Sequence, residues 1–478
     1  MSLLDAALKE DIPRMKKVLK RNGINLNEVT AYSYNAFHIV CYNGAKEVAE
    51  LLLNDERVEI NKRGKFGCTP LYFACQENHH DIAEMLLMDP RIELNRYNTQ
   101  EGISPFNFSC CYSRYEIVEH FFKYRGNELS KDEKRLGKFV LKYCDPNKPS
   151  LVNSKTDIRK VLKSVPINEA FIIGCSSGNI ELVKLLYENP IIEMDGKTQV
   201  LNLNYELPNG ESPFFIACQE NQFEVVKFLS KDSTVDVNKK TIYEKTPFSA
   251  ACEQGNLRIV EFLMANERVD INLLMNSETS FFLTCMKGHA NVVRLLMADP
   301  RVDINRANES EENPFGIACW RGQADVIKLM LKNPKVDVNK QNQDGKTPFY
   351  TICERGYLNI AKLLINSGRV DVNKPNKRYE TPFMCSCLLG HLDLVKLMLA
   401  TQSNLDTRAK NLEGNGIIEL LFDQIAKPRG PTEAEEDYFI KQENSKALLK
   451  ILPFYERNKK ESVFQFQKEL GLLGIFFF

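Results

Sequence analysis

Short apolar runs recur along this chain, separated by polar turns. From Thr246 the sequence reads TPFSAACEQG, which predicts a helix of about two turns that ends at a glycine. A second run follows with Ile259, Val260, Phe262 and Leu263 at helical spacing, so this helix has one apolar face and one polar face. The pattern predicts a pair of short helices followed by an extended, polar stretch.

The pair is repeated at a near-constant interval. The most visible mark of the pair is a cysteine, which recurs mostly 34 residues apart, with single steps of 33 and 35 and two longer steps of 65 and 43 residues. Ten of the fourteen cysteines follow this order, namely Cys41, Cys75, Cys110, Cys175, Cys218, Cys252, Cys285, Cys319, Cys353 and Cys387. A fixed period of this length is the signature of a repeat protein.

Each repeat carries start and stop signals. A Thr, Ser or Asn before Pro predicts an N-cap followed by a proline at the first helical position. A glycine three residues after the cysteine, or Asn78 and Asn221 in that place, predicts a left-handed backbone that ends helix one. Asp299-Pro300 and Asn333-Pro334 end helix two, and a Val-Asp-Val-Asn stretch then leads to the next cap.

These motifs resemble the ankyrin repeat. Its T-P-L-H-x-A-A-x-x-G pattern appears as Thr347-Pro348-Phe349 through Cys353 and Gly356, followed by Ile360, Leu363 and Leu364. Phe mostly replaces the Leu after Pro, Cys replaces the second Ala, and most repeats lack the His. The resemblance implies an all-α solenoid of helix–turn–helix–hairpin units, about 12 to 13 of them.

The likeness defines the expected domains. The repeat array is predicted over 1–426, with an irregular unit near 125–168 and an enlarged loop near 191–209. A linker is expected at 427–434 and a short C-terminal helical tail of unknown role at 435–478. The apolar end of that tail, GLLGIFFF, indicates either a docked tail or a chain cut short.

Composition narrows the function classes. The apolar fraction is 43% and the charged fraction 26%, which is typical of a folded globular chain. With 63 basic and 63 acidic residues, no net charge attracts nucleic acid or a membrane surface. The first residues do not resemble a secretory signal, and no apolar run is long enough to span a bilayer. We therefore expect a cytoplasmic or nuclear protein without membrane insertion.

The residues give little support to catalysis. The periodic cysteines are expected to pack as small buried hydrophobes, since no zinc-ligand spacing accompanies them. His79, His289 and His391 occupy the same repeat position, which favours a structural role at the start of helix two. No nucleophile, Walker or metalloprotease motif stands in a suitable context. We predict that the chain is not an enzyme and binds no metal or cofactor.

The Asn that ends each Val-Asp-Val-Asn stretch has two interpretations. It resembles the asparagine that is hydroxylated in some members of the ankyrin family, and an amide in this place also satisfies backbone groups of the hairpin. The second interpretation is favoured, without excluding the first. The residues concerned are Asn61, Asn95, Asn238, Asn272, Asn305, Asn339 and Asn373.

The variable positions are the candidate binding surface. By analogy with the family, the two residues after each cysteine face the concave groove, and here they vary in chemistry. The chain's one tryptophan lies among them, and Trp and Arg are the residues most enriched at binding hot spots. The candidate set is Met286, Lys287, Trp320, Arg321, Glu354, Arg355, Leu388 and Leu389. The alternative is that Trp320 only covers neighbouring apolar surface.

A second candidate surface consists of the hairpin tips, which carry Phe66, Tyr97, Tyr243 and Tyr379. Either surface fits a protein-interaction scaffold or adaptor that binds another protein and is itself monomeric. Two alternatives stay open. In the first alternative, the chain is the substrate-recruiting arm of a larger enzyme or ligase assembly. In the second, it is a structural spacer that self-associates.

Overall fold

The structure is a computed structural model that describes residues 3–8, 12–20, 25–94, 103–145, 158–162, 165–194, 197–402, 404–426 and 435–470. The chain forms two compact units. The first contains residues 1–251 and 258–270, and the second contains 252–257 and 271–478. The two units are described separately below.

Short helices make up the first unit, and residues 252–254 and 257 of its last two helices belong to the second unit. They are α1 (Leu3–Leu8), α2 (Ile12–Leu19), α3 (Ala36–Asn43), α4 (Lys46–Leu53), α5 (Pro70–Gln76), α6 (His80–Met88), α7 (Pro105–Cys111), α8 (Tyr115–Arg125), α9 (Lys131–Tyr143), α10 (Ile158–Val161), α11 (Ile167–Ser177), α12 (Ile180–Glu188), α13 (Pro213–Gln219), α14 (Phe223–Leu229), α15 (Pro247–Gln254) and α16 (Leu257–Met264).

The second unit continues the same pattern and ends with longer helices. Its elements are α17 (Ser280–Lys287), α18 (Ala290–Ala298), α19 (Pro314–Arg321), α20 (Ala324–Leu331), α21 (Pro348–Arg355), α22 (Leu358–Asn366), α23 (Pro382–Leu388), α24 (Leu392–Thr401), α25 (Ile417–Ala426), α26 (Glu435–Arg457) and α27 (Lys459–Glu469).

The helices form two layers within each unit. In the second unit, α17, α19, α21 and α23 contact one another in order, and α18, α20, α22 and α24 form the second layer. Each first helix also contacts its own second helix. The apolar faces meet between the layers, where Phe315, Ile327 and Phe349 are almost completely buried. This arrangement confirms the predicted helical repeat fold, and the number of helix pairs agrees with the expected 12 to 13.

The predicted caps are present. The Thr347 hydroxyl accepts a hydrogen bond from the backbone N–H of Tyr350 at 3.1 Å, and Pro348 occupies the first helical position of α21. Gly356 then ends α21 with a φ of 71°. Asn78 and Asn221 adopt the same left-handed conformation, with φ of 58° and 59°. Local sequence therefore defines the start and end of each first helix.

The residue at the start of helix two connects each repeat to the one before it. His289 Nε2 lies 2.8 Å from the carbonyl oxygen of Glu253, and His391 Nε2 lies 3.3 Å from that of Glu354. The ring of His391 also covers Gly356, where an added Cβ would lie 2.7 Å from a ring carbon. The structural role expected for these histidines is therefore present.

Asparagine amides form a second connection. Asn339 Nδ2 donates to the carbonyl of Arg369 at 2.9 Å, and its Oδ1 accepts from the N–H of Asp371 at 2.8 Å. Asn238 makes the equivalent pair with Arg268 and Asp270. The amide thus satisfies backbone groups of the following repeat, whereas the sequence predicted hydrogen bonds to backbone groups of the hairpin turn. Hydroxylation of these residues stays a prediction, and Asn95 lies outside the described residues.

Arginines provide a third connection, which the sequence did not predict. Arg369 Nη1 donates to the carbonyls of Leu331 and Asn333 at 2.7 and 2.9 Å, and its Nη2 to those of Pro334 and Val336 at 3.3 and 2.7 Å. These carbonyls lie at the end of α20 and just beyond it, where helix carbonyls lack intrahelical partners. A cation there also complements the helix dipole.

The irregular regions have their own elements. The stretch 125–168 contains α9 and the single-turn α10. The stretch 191–209 contains a two-stranded antiparallel hairpin, β1 (Ile191–Met194) and β2 (Lys197–Val200), with Ile191 opposite Val200. This hairpin is an addition to the all-α prediction. The predicted linker 427–434 and the end of the tail, 471–478, lie outside the described residues.

The described part of the tail packs on the last repeats. α26 lies against α25, and α27 lies against α24. Lys396 pairs with Glu469 at 2.7 Å, and Gln467 Nε2 donates to the carbonyl of Ala400 at 3.2 Å. Asn444 Nδ2 donates to the carbonyl of Gly390 at 3.1 Å, so α26 contacts the end of α23 much as a histidine of a further repeat does elsewhere.

Candidate protein-binding surface

The eight candidate residues lie at the C-terminal ends of four successive first helices in the second unit. Lys287, Arg321 and Leu389 are exposed. Met286, Glu354, Arg355 and Leu388 are half-buried. Trp320 has 37% of its surface exposed, and Leu389 has 45%. We call this set the helix-end surface.

Two guanidinium groups lie over the ring of Trp320. The guanidinium carbon of Arg321 is 4.6 Å from the centroid of the indole, and that of Arg355, from the next repeat, is 4.4 Å away. A cation at this distance from an aromatic face is attracted by the ring quadrupole, with a gain of about 0.5–1 kcal/mol at an exposed site. The structure thus brings together three of the eight predicted residues across two repeats.

Two other members of the surface are paired with residues outside it. Lys287 Nζ lies 3.5 Å from Glu253, and Glu354 accepts from Lys346 Nζ at 2.9 Å. Glu354 and Lys287 are therefore already neutralised by neighbours. Met286, Leu388 and Leu389 flank the Trp320 cluster on α17 and α23 and add apolar area to the surface.

The backbone beneath the surface is held by the next repeat. Gln323 Nε2 donates to the carbonyl of Met286 at 3.1 Å, and His391 Nε2 donates to that of Glu354. Burial lowers the pKa of His391, so its ring is neutral at neutral pH. Because a carbonyl oxygen can only accept, the ring hydrogen lies on Nε2. The helix ends are consequently fixed before any partner arrives, which lowers the ordering cost of association.

One equivalent residue of the first unit, Glu220, is used internally. Arg114 donates to both carboxylate oxygens of Glu220, at 2.6 and 3.1 Å, and both side chains are largely buried. The pair lines an open cleft of about 410 Å³ that also contains Ser176 and Asp145. Sequence reasoning missed Arg114, because its partner lies 106 residues away and no local signal links the two.

The hairpin tips form a less uniform surface. Phe66 packs against an aromatic cluster that includes Tyr72 and Phe108, so it is partly buried. Tyr379 is 58% exposed at a φ of 58°, and Tyr243 is half-buried. Tyr97 lies outside the described residues. Among Phe66, Tyr243 and Tyr379, the ring of Tyr379 is the exposed one.

The cysteines face the interior. Burial raises the pKa of Cys75 to about 12 and keeps the thiol protonated, and a protonated thiol is a poor nucleophile and metal ligand. Among the described residues, no group of three His, Cys, Asp or Glu side chains is arranged to hold a metal ion. None of the described helices combines the length and apolar character needed to cross a bilayer.

Successive capped helix pairs with a variable, partly exposed set of helix-end residues define a helical repeat protein of the kind that serves as a binding module. The family model for ankyrin repeats (three copies) matches residues 3–98, 150–241, 171–275, 248–342 and 315–411. The chain belongs to the ankyrin repeat family. Ankyrin repeats are generally protein–protein interaction modules and are typically non-catalytic.

Comparison with individual proteins adds little. Among solved structures, the chain is similar to the ankyrin repeat domain of Bcl-3, described as a unique member of the IkappaB protein family. The identity is 18% and the TM-score 0.41, over 48% of this chain and 98% of that one. No curated protein matches the chain.

Proposed function

We propose that this protein is a non-catalytic scaffold or adaptor that binds another protein through the helix-end surface. The observation that carries the proposal is the partly exposed Trp320, with Arg321 and Arg355 over its ring and a fixed backbone beneath it. Buried anchors of Trp and Arg type dominate the energy of many protein interfaces. In the first unit the equivalent residue Glu220 is already held by Arg114, which supports the choice of the second unit as the binding region.

Family membership supports the general class, and the choice of surface rests on the exposed residues. A ring that only covered apolar neighbours would be expected to be almost completely buried. Trp320 instead keeps more than a third of its surface accessible and has charged groups as ring partners. We further propose that the protein acts as a monomer in the cytoplasm or nucleus.

The test is affinity capture from native lysate with the full chain and three variants. Trp320→Ala and Leu389→Ser change the helix-end surface, and Tyr379→Ser is the matched control on the hairpin tip. We expect the first two to lose the same captured protein and the third to retain it. Loss with Tyr379→Ser alone would move the binding surface to the hairpin tips.

Two further measurements separate this proposal from its alternatives. Trp320→Ala loses two cation–π contacts of about 0.5–1 kcal/mol each, so its thermal midpoint should fall by only a few degrees while partner capture is lost. A tryptophan with a structural role alone would lower the midpoint and leave partner capture unchanged. Light scattering should give a monomer across protein concentrations. A concentration-dependent oligomer that captures no partner would favour a self-associating spacer and refute the adaptor proposal.

A further inference from the structure

The two guanidinium groups on Trp320 are the uncompensated charges of the helix-end surface. Lys287 and the nearby Lys346 each lie within ion-pair distance of a carboxylate, Glu253 and Glu354 respectively. Within the described ranges, Arg321 and Arg355 form no ion pair with a carboxylate, and both make a cation–π contact with the indole ring. Both arginines therefore retain donors that a ligand can use.

The chemistry of these donors specifies an oxygen anion. A guanidinium presents five N–H donors in a planar fork that matches the two oxygens of a carboxylate. Stacking on Trp320 restricts both arginine side chains, so less rotamer freedom is lost when the fork closes on its ligand. An incoming carboxylate would also contact the indole edge, which carries the positive part of the ring quadrupole.

The flanking residues specify what surrounds the anion. Met286 lies one repeat before Trp320, and Leu388 and Leu389 lie two repeats after it. Packed helices are about 8–10 Å apart, so the Leu389 position is roughly 16–20 Å from the Trp320 cluster. An extended peptide covers about 3.3 Å per residue and spans that distance with five or six residues. The distance from the Trp320 cluster to the Met286 position, in the opposite direction, is covered by about three residues of extended peptide.

From this arrangement we infer that the partner supplies an extended acidic peptide segment, with an Asp or Glu carboxylate held by Arg321 and Arg355. An apolar residue five or six positions from the acid would contact Leu388 and Leu389. The inference rests on the proposed function and adds the chemistry of the bound segment. A peptide fits better than a nucleic acid because, among the described residues of the helix-end surface, two cations lack a carboxylate partner and their neighbours are Met and Leu.

The experiment is selection of random 12-residue peptides displayed on phage against the full-length protein. Individual peptides are then titrated by fluorescence, since Trp320 is the chain's one tryptophan and reports directly on the surface. Arg321→Gln/Arg355→Gln is the test variant. Lys377→Gln/Arg378→Gln is the control, because it removes the same charge from exposed residues of a hairpin tip in the same unit.

We expect the selected peptides to be enriched in Asp or Glu, with an apolar residue five or six positions away. Loss of two charge-assisted contacts should weaken binding about tenfold or more in the test variant. The control should stay within about twofold of the unmodified protein. Arg355→Glu should lose the acidic peptide and bind its Asp/Glu→Lys counterpart, a rescue that a folding defect cannot produce.

Different results would refute the acidic-segment inference and the proposed protein-binding function. Selected peptides that lack acidic enrichment, or that bind the test variant unchanged, would overturn the acidic-segment inference. If such peptides still require Trp320, the protein-binding function itself survives. If no peptide binds and a single-stranded 20-nucleotide DNA quenches Trp320 instead, both the inference and the proposed function are refuted.

Discussion

Arg369 provides the sharpest test of how neighbouring repeats are held together. Its guanidinium donates to four backbone carbonyls at and after the end of α20, one repeat earlier in the chain. Arg369→Ala leaves these carbonyls without their charged donor in a partly buried place. We expect the second unit to lose stability as a result.

The magnitude follows from the geometry. Four acceptors share two terminal nitrogens, and the two contacts of 2.7 Å are the strong ones. A hydrogen bond to a charged group contributes about 1.5–3 kcal/mol, and such contributions are not additive when donors are shared. Including a few tenths of a kcal/mol for the helix dipole, the expected loss is about 2–4 kcal/mol.

The chain contains a matched control for this substitution. Lys335 occupies the same repeat position one repeat earlier, and its side chain is exposed. Lys335→Ala should change the free energy of unfolding by less than about 0.5 kcal/mol. Arg369→Lys keeps the charge but not the fork, and should recover less than half of the loss.

The assay is urea denaturation followed by the fluorescence of Trp320, which lies on α19 in the same unit as Arg369. The expected result is a lower midpoint for Arg369→Ala with an unchanged slope, and a midpoint near that of the unmodified protein for Lys335→Ala. Equal midpoints for the two alanine variants would refute the capping role. Amide exchange at the end of α20 should accelerate in Arg369→Ala alone.

Three further predictions concern other connections between repeats. Gly356→Ala should destabilise the protein more than Gly368→Ala, by about 1 kcal/mol or more in thermal unfolding. Both glycines have positive φ, but the Cβ added at Gly356 would meet the His391 ring, whereas the Cβ added at Gly368 would meet no atom within 4 Å. Asn339→Ala should lower the free energy of unfolding in urea by about 1–3 kcal/mol, because two backbone groups of the next repeat lose their hydrogen-bond partner. A loss no larger than that for an alanine substitution of an exposed asparagine would contradict this role. Burial lowers the pKa of His38 from 6.5 to about 4, so the unfolded chain binds the proton at a higher pH than the folded chain. The free energy of unfolding should therefore be complete above pH 6.5 and fall as the pH drops from 6.5 towards 4. His38→Gln should flatten this part of the pH profile, and an identical profile would exclude His38 as its source.

The helix pairs themselves could be predicted because their signals are local. Thr347 and Pro348 define the start of α21, and Gly356 defines its end, within ten residues of sequence. Repetition of the same signals then turned a weak local pattern into a fold assignment. The left-handed conformations of Asn78 and Asn221 followed from the same alignment of repeats.

The candidate surface was only partly predictable. The sequence selected the two residues after each cysteine, and their variety drew attention to Trp320 with Arg321. It did not show that Arg355 of the next repeat stacks on the same ring, or that Glu354 is paired with Lys346. Such contacts depend on side-chain directions across two repeats, which spacing along the chain does not specify.

The repeated helix pair, its caps and its buried face follow from the amino-acid sequence, because they depend on interactions between residues a few positions apart. What holds one repeat to the next becomes visible in the folded chain. The hydrogen bonds of Arg369 and Asn339 and the Arg114–Glu220 pair join residues from 30 to 106 positions apart. Their partners are mostly backbone groups, which every residue possesses, so the sequence contains no distinguishing signal for them.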